Sequence, residues 1–539
     1  MLKMVSTLNR AFLHIQRRAE QSDPLILAET FVDIGPMFTM LSSVDHQIIY
    51  GRRGTGKTHI LTALADQVRR RGNLPIFLDM RTIGSTGGIY ADESISIAER
   101  GTRLLLDTLG VMHEALVDYV LQCSDSMPDF DPTQSFALLD RLATEIGQSV
   151  RVVGSVQVST TVDAEQTGTE STGAGVSVSA VPALNLRTGS TRQQSLRVGE
   201  NVQRAGIEQH RVHFGAVSQL LRRLVESIPA DRIWLLMDEW SSVPLDLQPL
   251  LADLVRRSIF PVAGITVKIG AIERRANFRV LLPGGDHLGI EVGADAPADV
   301  DLDDFMVFGS NAELAKEFFR ALLFKHVSAV LSAEDDDPEI PDSPAALVAK
   351  AFTQRTAFDE FVRSAEGVPR DAINILALAA QRANDDVISV QILRSAALAW
   401  YQRDKESAIN ANEDARDLLV WINNEVLQNR QARAFMLKQG DDSHPLIRTL
   451  YDARVLHLIR RGIAARDQPG VRFNGWSLDY GCYVDLVNTT KAPLGLWQVE
   501  EDDEGEPEFT EVPVDDYRSI RRAILDLDRY EQERGYAAN

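Results

Sequence analysis

Cysteine is scarce in this chain of 539 residues, in which only Cys123 and Cys482 occur. Two cysteines exclude a disulfide framework and a zinc site built from cysteine ligands. The 10 histidines are scattered, with no HExxH segment and no histidine–cysteine pair at ligand spacing. The sequence holds no constellation typical of a nuclease, a protease or a deaminase, so we expect any such activity to come from a partner protein.

Long apolar runs are absent as well. No stretch reaches the roughly 18 apolar residues that a membrane-spanning helix requires. The N-terminal segment MLKMVSTLNRAFLHIQRRAEQ is not an apolar leader either. We therefore expect a cytoplasmic protein that does not insert into a membrane.

Positive charge is in deficit, because 56 Lys and Arg residues face 77 Asp and Glu residues and give a formal charge of −21. This balance argues against indiscriminate binding to nucleic acid, although a local basic surface can still bind it. The hydrophobic share of 44% is that of an ordinary globular chain. The length predicts three or four domains.

Apolar runs alternate with helical segments over residues 46–300, after a helical lead-in over residues 1–45. This alternation is typical of βαβ units, and it predicts an α/β fold with a parallel sheet. The runs are apolar throughout, as in strands that are covered on both faces. The predicted strands are Gln47–Tyr50, Pro75–Asp79, Ile233–Met237 and Ile265–Ala271.

Residues 150–198 break this rhythm, because they are rich in Ser, Thr and Gly. Two alternating runs, starting near Val156 and Val176, flank a turn-like stretch at Gln166–Gly175 and predict an inserted β-hairpin. Three interpretations stay open: a surface hairpin or part of a subunit interface, a mobile arm that grips a partner, and a membrane-inserting hairpin.

Helical patterns dominate residues 301–428, which we interpret as a helical lid with connecting helices. The predicted helices are Asp304–Leu331, Pro344–Ala365, Pro369–Ala383 and Ser389–Asp404. A small basic domain is predicted at residues 429–495, and residues 496–539 form an acidic C-terminal tail that opens with EEDDE from Glu500.

A phosphate-binding motif occupies residues 51–58, which read GRRGTGKT and match GxxxxGK[ST]. Its glycines let backbone N–H groups surround phosphate, Lys57 adds a charge at the β- and γ-phosphates, and Thr58 offers a hydroxyl to Mg²⁺. A predicted strand precedes the motif and an amphipathic helix over His59–Arg70 follows it. The predicted nucleotide-binding residues are Gly51, Arg52, Arg53, Gly54, Thr55, Gly56, Lys57, Thr58 and His59.

A buried strand that ends in two carboxylates supplies the second half of the site. Asp238 and Glu239 follow the run Ile233–Met237, which is the Walker B arrangement. Asp238 is expected to hold Mg²⁺ together with Thr58, and Glu239 to orient or deprotonate the attacking water. This pair favours hydrolysis over binding alone.

The segments GRRGTGKTH, LLMDE and EGVPRDAINIL together show a family resemblance. The chain resembles AAA+ ATPases, and within them the replication-initiator group, the origin-recognition ATPases of archaea and eukaryotes, as a divergent bacterial-type relative. The resemblance implies ATP and Mg²⁺ as ligands and a homo-oligomer as the working form. It assigns the sensor 2 role to Arg370, and it makes Arg274 or Arg275 a candidate arginine finger.

The same resemblance implies a winged helix in the basic domain. Its helices would be Pro445–Leu450 and Asp452–Arg461, and Gly470–Trp476 would be part of the wing. Over residues 430–475, nine basic residues face four acidic ones, so DNA is a candidate partner through residues 430–490. The basic residues are Arg430, Arg433, Lys438, Arg448, Arg454, Arg460, Arg461, Arg466 and Arg472.

Two departures from the family pattern stand out. Ile272 and Glu273 occupy the place where the family has a small polar sensor 1 residue, and the inserted hairpin has no counterpart. The leading hypothesis is an ATPase whose nucleotide state controls oligomer assembly and the engagement of a protein partner or effector. By association with such relatives, it would act in anti-phage defence or a mobile element. The alternatives are an ATP-regulated DNA-binding protein and a signalling NTPase with a separate effector.

Overall fold

The structure is a computed structural model that describes most of the chain. The described residues are 2–19, 22–33, 35–84, 90–147, 149–161, 199–210, 213–297, 300–303, 312–334, 340–464, 470–487, 498–501, 507–510 and 523–535. The chain divides into two compact units. The first comprises Met1–Ser85, Ala230–Ala252 and Ala263–Asn539, and the second comprises Thr86–Pro229 and Asp253–Val262.

The strands and helices have the following bounds. The strands are β1 (Gln47–Tyr50), β2 (Leu74–Asp79), β3 (Ser149–Thr161), β4 (Gly199–His210), β5 (Ile233–Asp238), β6 (Ile265–Ala271), β7 (Arg279–Leu281), β8 (His287–Gly289), β9 (Val300–Asp301), β10 (Ala434–Lys438), β11 (Leu456–Ala464), β12 (Arg472–Leu478), β13 (Gln498–Glu501) and β14 (Pro507–Thr510). The helices are α1 (Leu2–His14), α2 (Pro24–Thr30), α3 (Met37–Leu41), α4 (Lys57–Arg70), α5 (Met80–Ile83), α6 (Ile97–Ser126), α7 (Thr133–Gly147), α8 (Phe214–Ser227), α9 (Gln248–Ser258), α10 (Ala312–Glu334), α11 (Pro344–Ala351), α12 (Arg355–Ala365), α13 (Pro369–Ala383), α14 (Val390–Trp400), α15 (Ser407–Asn410), α16 (Glu413–Asn423), α17 (Pro445–Asp452) and α18 (Leu527–Arg534). Two π-helical turns cover Tyr401–Glu406 and Asn424–Gln428.

A five-stranded parallel sheet organises the first unit, in the order β2–β5–β6–β1–β9. β5 and β6 are buried along their whole length, which explains why their sequences are largely apolar, although β6 also contains the buried Thr266 and Lys268. The predicted α/β fold is confirmed, and so are the four predicted strands. Because all five strands run in one direction, their carboxyl ends meet at one edge of the sheet, where ligands bind in such folds.

The helix α4 connects the phosphate-binding loop to the core. Its buried side chains Ile60, Leu61, Leu64 and Val68 recur at helical spacing and belong to the main hydrophobic cluster. Each such side chain contributes roughly 1.5–3 kcal/mol on burial. This packing fixes the start of the helix relative to the sheet.

The second unit contains the long helix α6 with α7 and α8. The hydroxyl of Ser135 on α7 donates to the carbonyl oxygen of Ser227 at the end of α8 (2.9 Å). β3 pairs with β4 in antiparallel register, from Ser149 opposite His210 to Thr161 opposite Gly199. The described arms of the inserted hairpin are thus β3 and β4, whereas the predicted run near Val176 and the predicted turn both lie outside the described residues.

Two of the predicted helices after residue 300 need correction. Of the first predicted helix, residues 304–311 lie outside the described residues, and the described part is the helix Ala312–Glu334. The second is two helices, α11 and α12, because the chain becomes extended near Phe352, and Thr353 donates to the carbonyl oxygen of Ile388 (3.0 Å). The last ends at Trp400 and continues as the π-helical turn. The helix Pro369–Ala383 has the predicted bounds.

Residues 434–464, 470–487 and 523–535 form what we call the C-terminal module. Its antiparallel sheet has the order β10–β12–β11, and α17 lies between β10 and β11 in sequence. The predicted helix at Pro445 is confirmed as α17, but the one predicted over Asp452–Arg461 is wrong, because most of it is strand β11. The assignment of a winged helix stays a prediction.

Part of the predicted acidic tail belongs to this module. Met436 donates its backbone N–H to Ala523 and accepts from Leu525 (2.7 and 3.0 Å). Tyr530 on α18 is buried and lies 5.3 Å from Trp421 between ring centroids. Residues 523–535 are therefore not a free tail. No helix among the described residues is long and apolar enough to cross a membrane.

Candidate active site

The loop between β1 and α4 needs its glycines. Gly54 and Gly56 have φ angles of +85° and +98°, which disfavour any side chain. A Cβ on Gly54 would come within 2.8 Å of the Cβ of Arg370, and one on Gly51 within 2.5 Å of the Thr55 hydroxyl. Since α4 begins directly after this loop, the unpaired N–H groups of its first turn lie at the loop and provide a phosphate site.

Lys57 is buried at the mouth of this loop. Its ammonium group donates to the carbonyl oxygens of Gly51 and Arg52 at 2.8 and 3.0 Å. Burial lowers the pKa of Lys57, although the carboxylates of Glu239 and Asp238 oppose this shift. A phosphate group would offset the cost of burying the charge, because it brings negative oxygens to the same place.

Thr58 and Asp238 form the metal side of the site. The Thr58 hydroxyl donates to Oδ2 of Asp238 at 2.5 Å, and Asp238 is only 1% exposed. Burial raises the pKa of Asp238 despite that hydrogen bond. The hydroxyl of Thr58 and the carboxylate of Asp238 are hard oxygen donors, which suit Mg²⁺. This ion takes one or two protein ligands and completes its shell with phosphates and water. No three His, Cys, Asp or Glu side chains group into a metal site within the described chain, so phosphates would have to share the ion.

Glu239 follows at the end of β5 in a strained backbone conformation. Its φ of +54° is uncommon for a residue with a side chain. Its backbone N–H donates to Oδ1 of Asp238 at 2.8 Å, which helps to hold this turn. Such strain often occurs at functional sites, where the surrounding structure enforces it. The side chain of Glu239 lines the same cavity as Lys57 and Thr58.

Arg370 reaches the site from the start of α13. Its backbone N–H donates to the carbonyl oxygen of Gly54 at 3.2 Å, and its side chain lines the cavity. The helix start and the phosphate-binding loop are therefore in direct contact. This placement is that of the sensor 2 arginine which the resemblance implies, and the role itself stays a prediction.

A cavity of about 630 Å³ joins these groups. Its apolar lining includes Ile15, Leu27, Leu322, Val330 and Ile373. Its polar and charged lining includes His14, Arg17, Arg18, Thr30, Arg53, Lys57, Thr58, His59, Arg81, Glu239, His326 and Arg370. A cavity that combines apolar and charged groups beside a phosphate-binding loop is typical of a small-molecule site.

Two histidines, His59 and His326, belong to this lining. Nε2 of His59 donates to the carbonyl oxygen of Leu27 at 2.5 Å, and the His59 ring packs edge-on to His326 with centroids 6.0 Å apart. Burial lowers the pKa of His59 and takes that of His326 to about 3. Both shifts favour the neutral form of the two rings.

Two predicted residues lie elsewhere than expected. Arg52 donates through Nε and through its backbone N–H to the carboxylate of Asp303, at 2.8 and 3.0 Å, so neither donor points to the phosphates. The hydroxyl of Thr55 donates to the carbonyl oxygen of Arg52 at 2.9 Å and stabilises the loop. Arg53 and His59 do line the cavity.

Arg274 is held inside the chain. Its guanidinium donates to the carbonyl and carboxylate oxygens of Asp442 at 2.7 and 3.2 Å, and it stacks over Trp476 at 4.8 Å. A finger that reaches into another subunit would have to break these contacts, so the structure disagrees with a free finger at Arg274. Arg275 pairs with Asp452 at 2.5 Å. None of the described residues that line the cavity follows β6 directly, so the sensor 1 role stays unassigned.

Several residues around the site carry no local sequence signal. Asp303, His457 and His326 come from segments far from the motifs and have no spacing pattern. Asp371 lies within the EGVPRDAINIL segment, next to Arg370. Only the fold brings these side chains beside the motif residues.

Comparisons with known proteins point to one family. Residues 16–77 match the profile of the ORC-CDC6-like family. No curated protein matches the sequence. Among solved structures, a Walker-type ATPase of Pyrococcus abyssi has a TM-score of 0.34 and 10% identity, over 89% of this chain and 100% of that one.

Two further structures have similar values. Cdc6p from Pyrobaculum aerophilum has a TM-score of 0.31 and 11% identity, over 86% of this chain and 96% of that one. The Orc1 protein of Aeropyrum pernix, solved in complex with DNA, has a TM-score of 0.33 and 13% identity over the same shares. Values this low give no support to a function. With its phosphate-binding loop, its Asp-Glu strand end and its match over residues 16–77, the chain resembles the replication-initiator group of AAA+ ATPases, as a divergent relative.

Proposed function

We propose that the chain binds and hydrolyses ATP with Mg²⁺, and that its nucleotide state controls oligomer assembly and the engagement of a partner. One observation carries the catalytic part. Lys57, Thr58, Glu239 and Arg370 all line a single cavity at the carboxyl edge of the parallel sheet, and Asp238 holds Thr58 there.

Each side chain has a distinct task in this proposal. Lys57 and the first turn of α4 hold the β- and γ-phosphates, and Thr58 and Asp238 hold the metal. Bound Mg²⁺ would neutralise charge that develops on the phosphate oxygens. Glu239 orients the attacking water and accepts its proton, and Arg370 contacts the γ-phosphate.

The assembly part of the proposal follows from the place of Arg370. The lid helix α13 starts at the phosphate-binding loop, so a γ-phosphate contact would bias the position of the lid. ATP and ADP would then favour different arrangements of the chain and of its neighbours in an oligomer. A role in anti-phage defence or in a mobile element rests on family association only.

Nucleotide binding and solution mass test this proposal together. We expect Lys57→Ala to lose ATP binding, whereas the control Lys438→Ala, at an exposed lysine of β10, keeps it. We expect Glu239→Gln to bind ATP and to grow into a defined oligomer with ATP and Mg²⁺. A constant mass with bound ATP would contradict nucleotide-controlled assembly, and ATP binding by Lys57→Ala would contradict the site.

The alternative function, DNA binding through the C-terminal module, has weaker support. Arg454 is buried and pairs with Asp371 and Asp404. Arg461 pairs with Glu273 and Asp301. Both arginines therefore form ion pairs with acidic residues of the same chain when the module lies in the described position.

A further inference from the structure

Arg52 is the point where three parts of the first unit meet. Its backbone N–H and its Nε both donate to the carboxylate of Asp303, at 3.0 and 2.8 Å. Its Nη2 donates to the carbonyl oxygen of Glu366 before α13 (3.4 Å), and its Nη1 contacts Nδ1 of His457 in the C-terminal module. The side chain is 2% exposed. These contacts of Arg52 hold the start of the phosphate-binding loop in place from outside the cavity.

The chemistry of Arg52 fixes the state of His457. A guanidinium can only donate, so Nδ1 of His457 accepts and its proton lies on Nε2. Nε2 then donates to Oδ2 of Asp479 at 3.0 Å. Burial, with help from the charge of Arg52, lowers the pKa of His457 to about 4, so the ring stays neutral in this position.

The contacts continue to the other side of the nucleotide site. Asp479 accepts from the ammonium of Lys405 at 2.5 Å, and Lys405 also pairs with Asp371 at 3.0 Å. Asp371 directly follows Arg370 in α13. Lys405 lies in the π-helical turn Tyr401–Glu406, a feature that is frequent at functional sites.

We call these groups the buried ion chain: Arg52, His457, Asp479, Lys405 and Asp371. Each member is at most 5% exposed as a side chain or residue. Removing one partner from such a set leaves an uncompensated buried charge, which is strongly unfavourable. The contacts of His457 with Arg52 and of Asp479 with Lys405 therefore hold both ends of the buried ion chain in place.

We propose that the C-terminal module positions the phosphate-binding loop, with His457 as a positioning residue that acts through Arg52. The seating of the module then sets the affinity of the site for nucleotide, and a partner that unseats the module would weaken it. This inference deepens the proposed function and rests on ATP binding at Lys57.

The first test compares nucleotide affinity in paired variants. We expect His457→Leu to weaken ATP binding by about tenfold, because a small displacement of a positioned group has effects of this size or larger. Adding His457→Leu to Arg52→Gln should weaken binding no further, since both changes break the same contact. The matched control is Tyr480→Phe, which deletes a buried hydrogen bond from the module to Glu360 (2.5 Å) that is not part of the buried ion chain, and it should leave ATP affinity unchanged.

The second test does not depend on ATP. Hydrogen exchange of the backbone amides in residues 51–58 should be faster in nucleotide-free His457→Leu than in the unmodified chain or in Tyr480→Phe. His457→Asn, which keeps an acceptor near the place of Nδ1, should restore slow exchange and affinity, and it serves if the leucine variant fails to fold. Unchanged exchange, or additive losses of affinity in the double variant, would overturn the inference. If the unmodified chain binds no ATP, the proposed function fails while the exchange result still decides this inference.

Discussion

The fully buried His457 and the partly buried His59 and His326 make the stability of the chain sensitive to acid. Burial lowers the pKa of His59, that of His326 to about 3 and that of His457 to about 4, against an ordinary value of 6.5. Between these values the unfolded chain binds more protons than the folded one, so stability is complete above about pH 6.5 and is lost as the pH falls. Each of the three rings contributes to this loss of stability separately.

The resulting prediction concerns urea unfolding at two pH values. Lowering the pH from about 7.5 to about 5.5 should reduce the free energy of unfolding by about 1.4 kcal/mol for each fully buried neutral histidine. His457→Asn should have a shallower pH dependence than the unmodified chain, whereas the exposed His213→Asn should not. Equal slopes in all three proteins would show that His457 does not titrate as described.

At the scale of elements, the sequence predicts best where one local signal decides the structure. The continuous apolar runs identify β1 and β6 with their full bounds, and the proline at the start of α13 marks its first residue. The Walker A loop is predicted for the same reason, since its glycines have no other local use.

The wrong predictions concern residues whose secondary structure depends on pairing with distant parts of the chain. The predicted helix includes the run Val455–Ile459, which is apolar except for His457 and suits a helix or a strand, and the pairing of β11 with β12 selects the strand. The strand β4 (Gly199–His210) is not among the predicted runs, because the ladder partner of β3 cannot be read from the alternation in one arm. The buried ion chain escaped prediction since its members come from five distant segments.

The turn Glu273–Arg275 gives the prediction at this scale. Arg274 is 12% exposed and pairs with a buried Asp442, so Arg274→Gln should lower the free energy of unfolding by roughly 2 kcal/mol. Its neighbour Arg275 is 41% exposed and pairs at the surface, so Arg275→Gln should cost less than about 1 kcal/mol. Urea unfolding measures both. If both variants lost equally little free energy of unfolding, and Arg274→Gln lost ATP turnover only in assembled protein, the result would instead favour an arginine finger at Arg274.

The charge of the whole molecule sets the expectation for DNA. The chain carries a formal charge of −21, and Arg454 and Arg461 already pair with acidic groups of the chain. We expect binding to a random duplex no tighter than the non-specific range, about 10⁻⁴–10⁻⁶ M at physiological salt. Fluorescence anisotropy between low and physiological salt measures it. Nanomolar binding with a steep loss on adding salt would favour the DNA-binding alternative.

Phosphate release tests the central claim that this cavity hydrolyses ATP. The unmodified chain should release phosphate from ATP with Mg²⁺, Lys57→Ala should release none because it cannot hold the nucleotide, and Glu239→Gln should bind ATP but turn it over at least about 100-fold more slowly. The exposed Glu226→Gln is the control for the carboxylate change. Turnover by Glu239→Gln at the rate of the unmodified chain would contradict the role of Glu239, and turnover by Lys57→Ala would contradict the site as a whole.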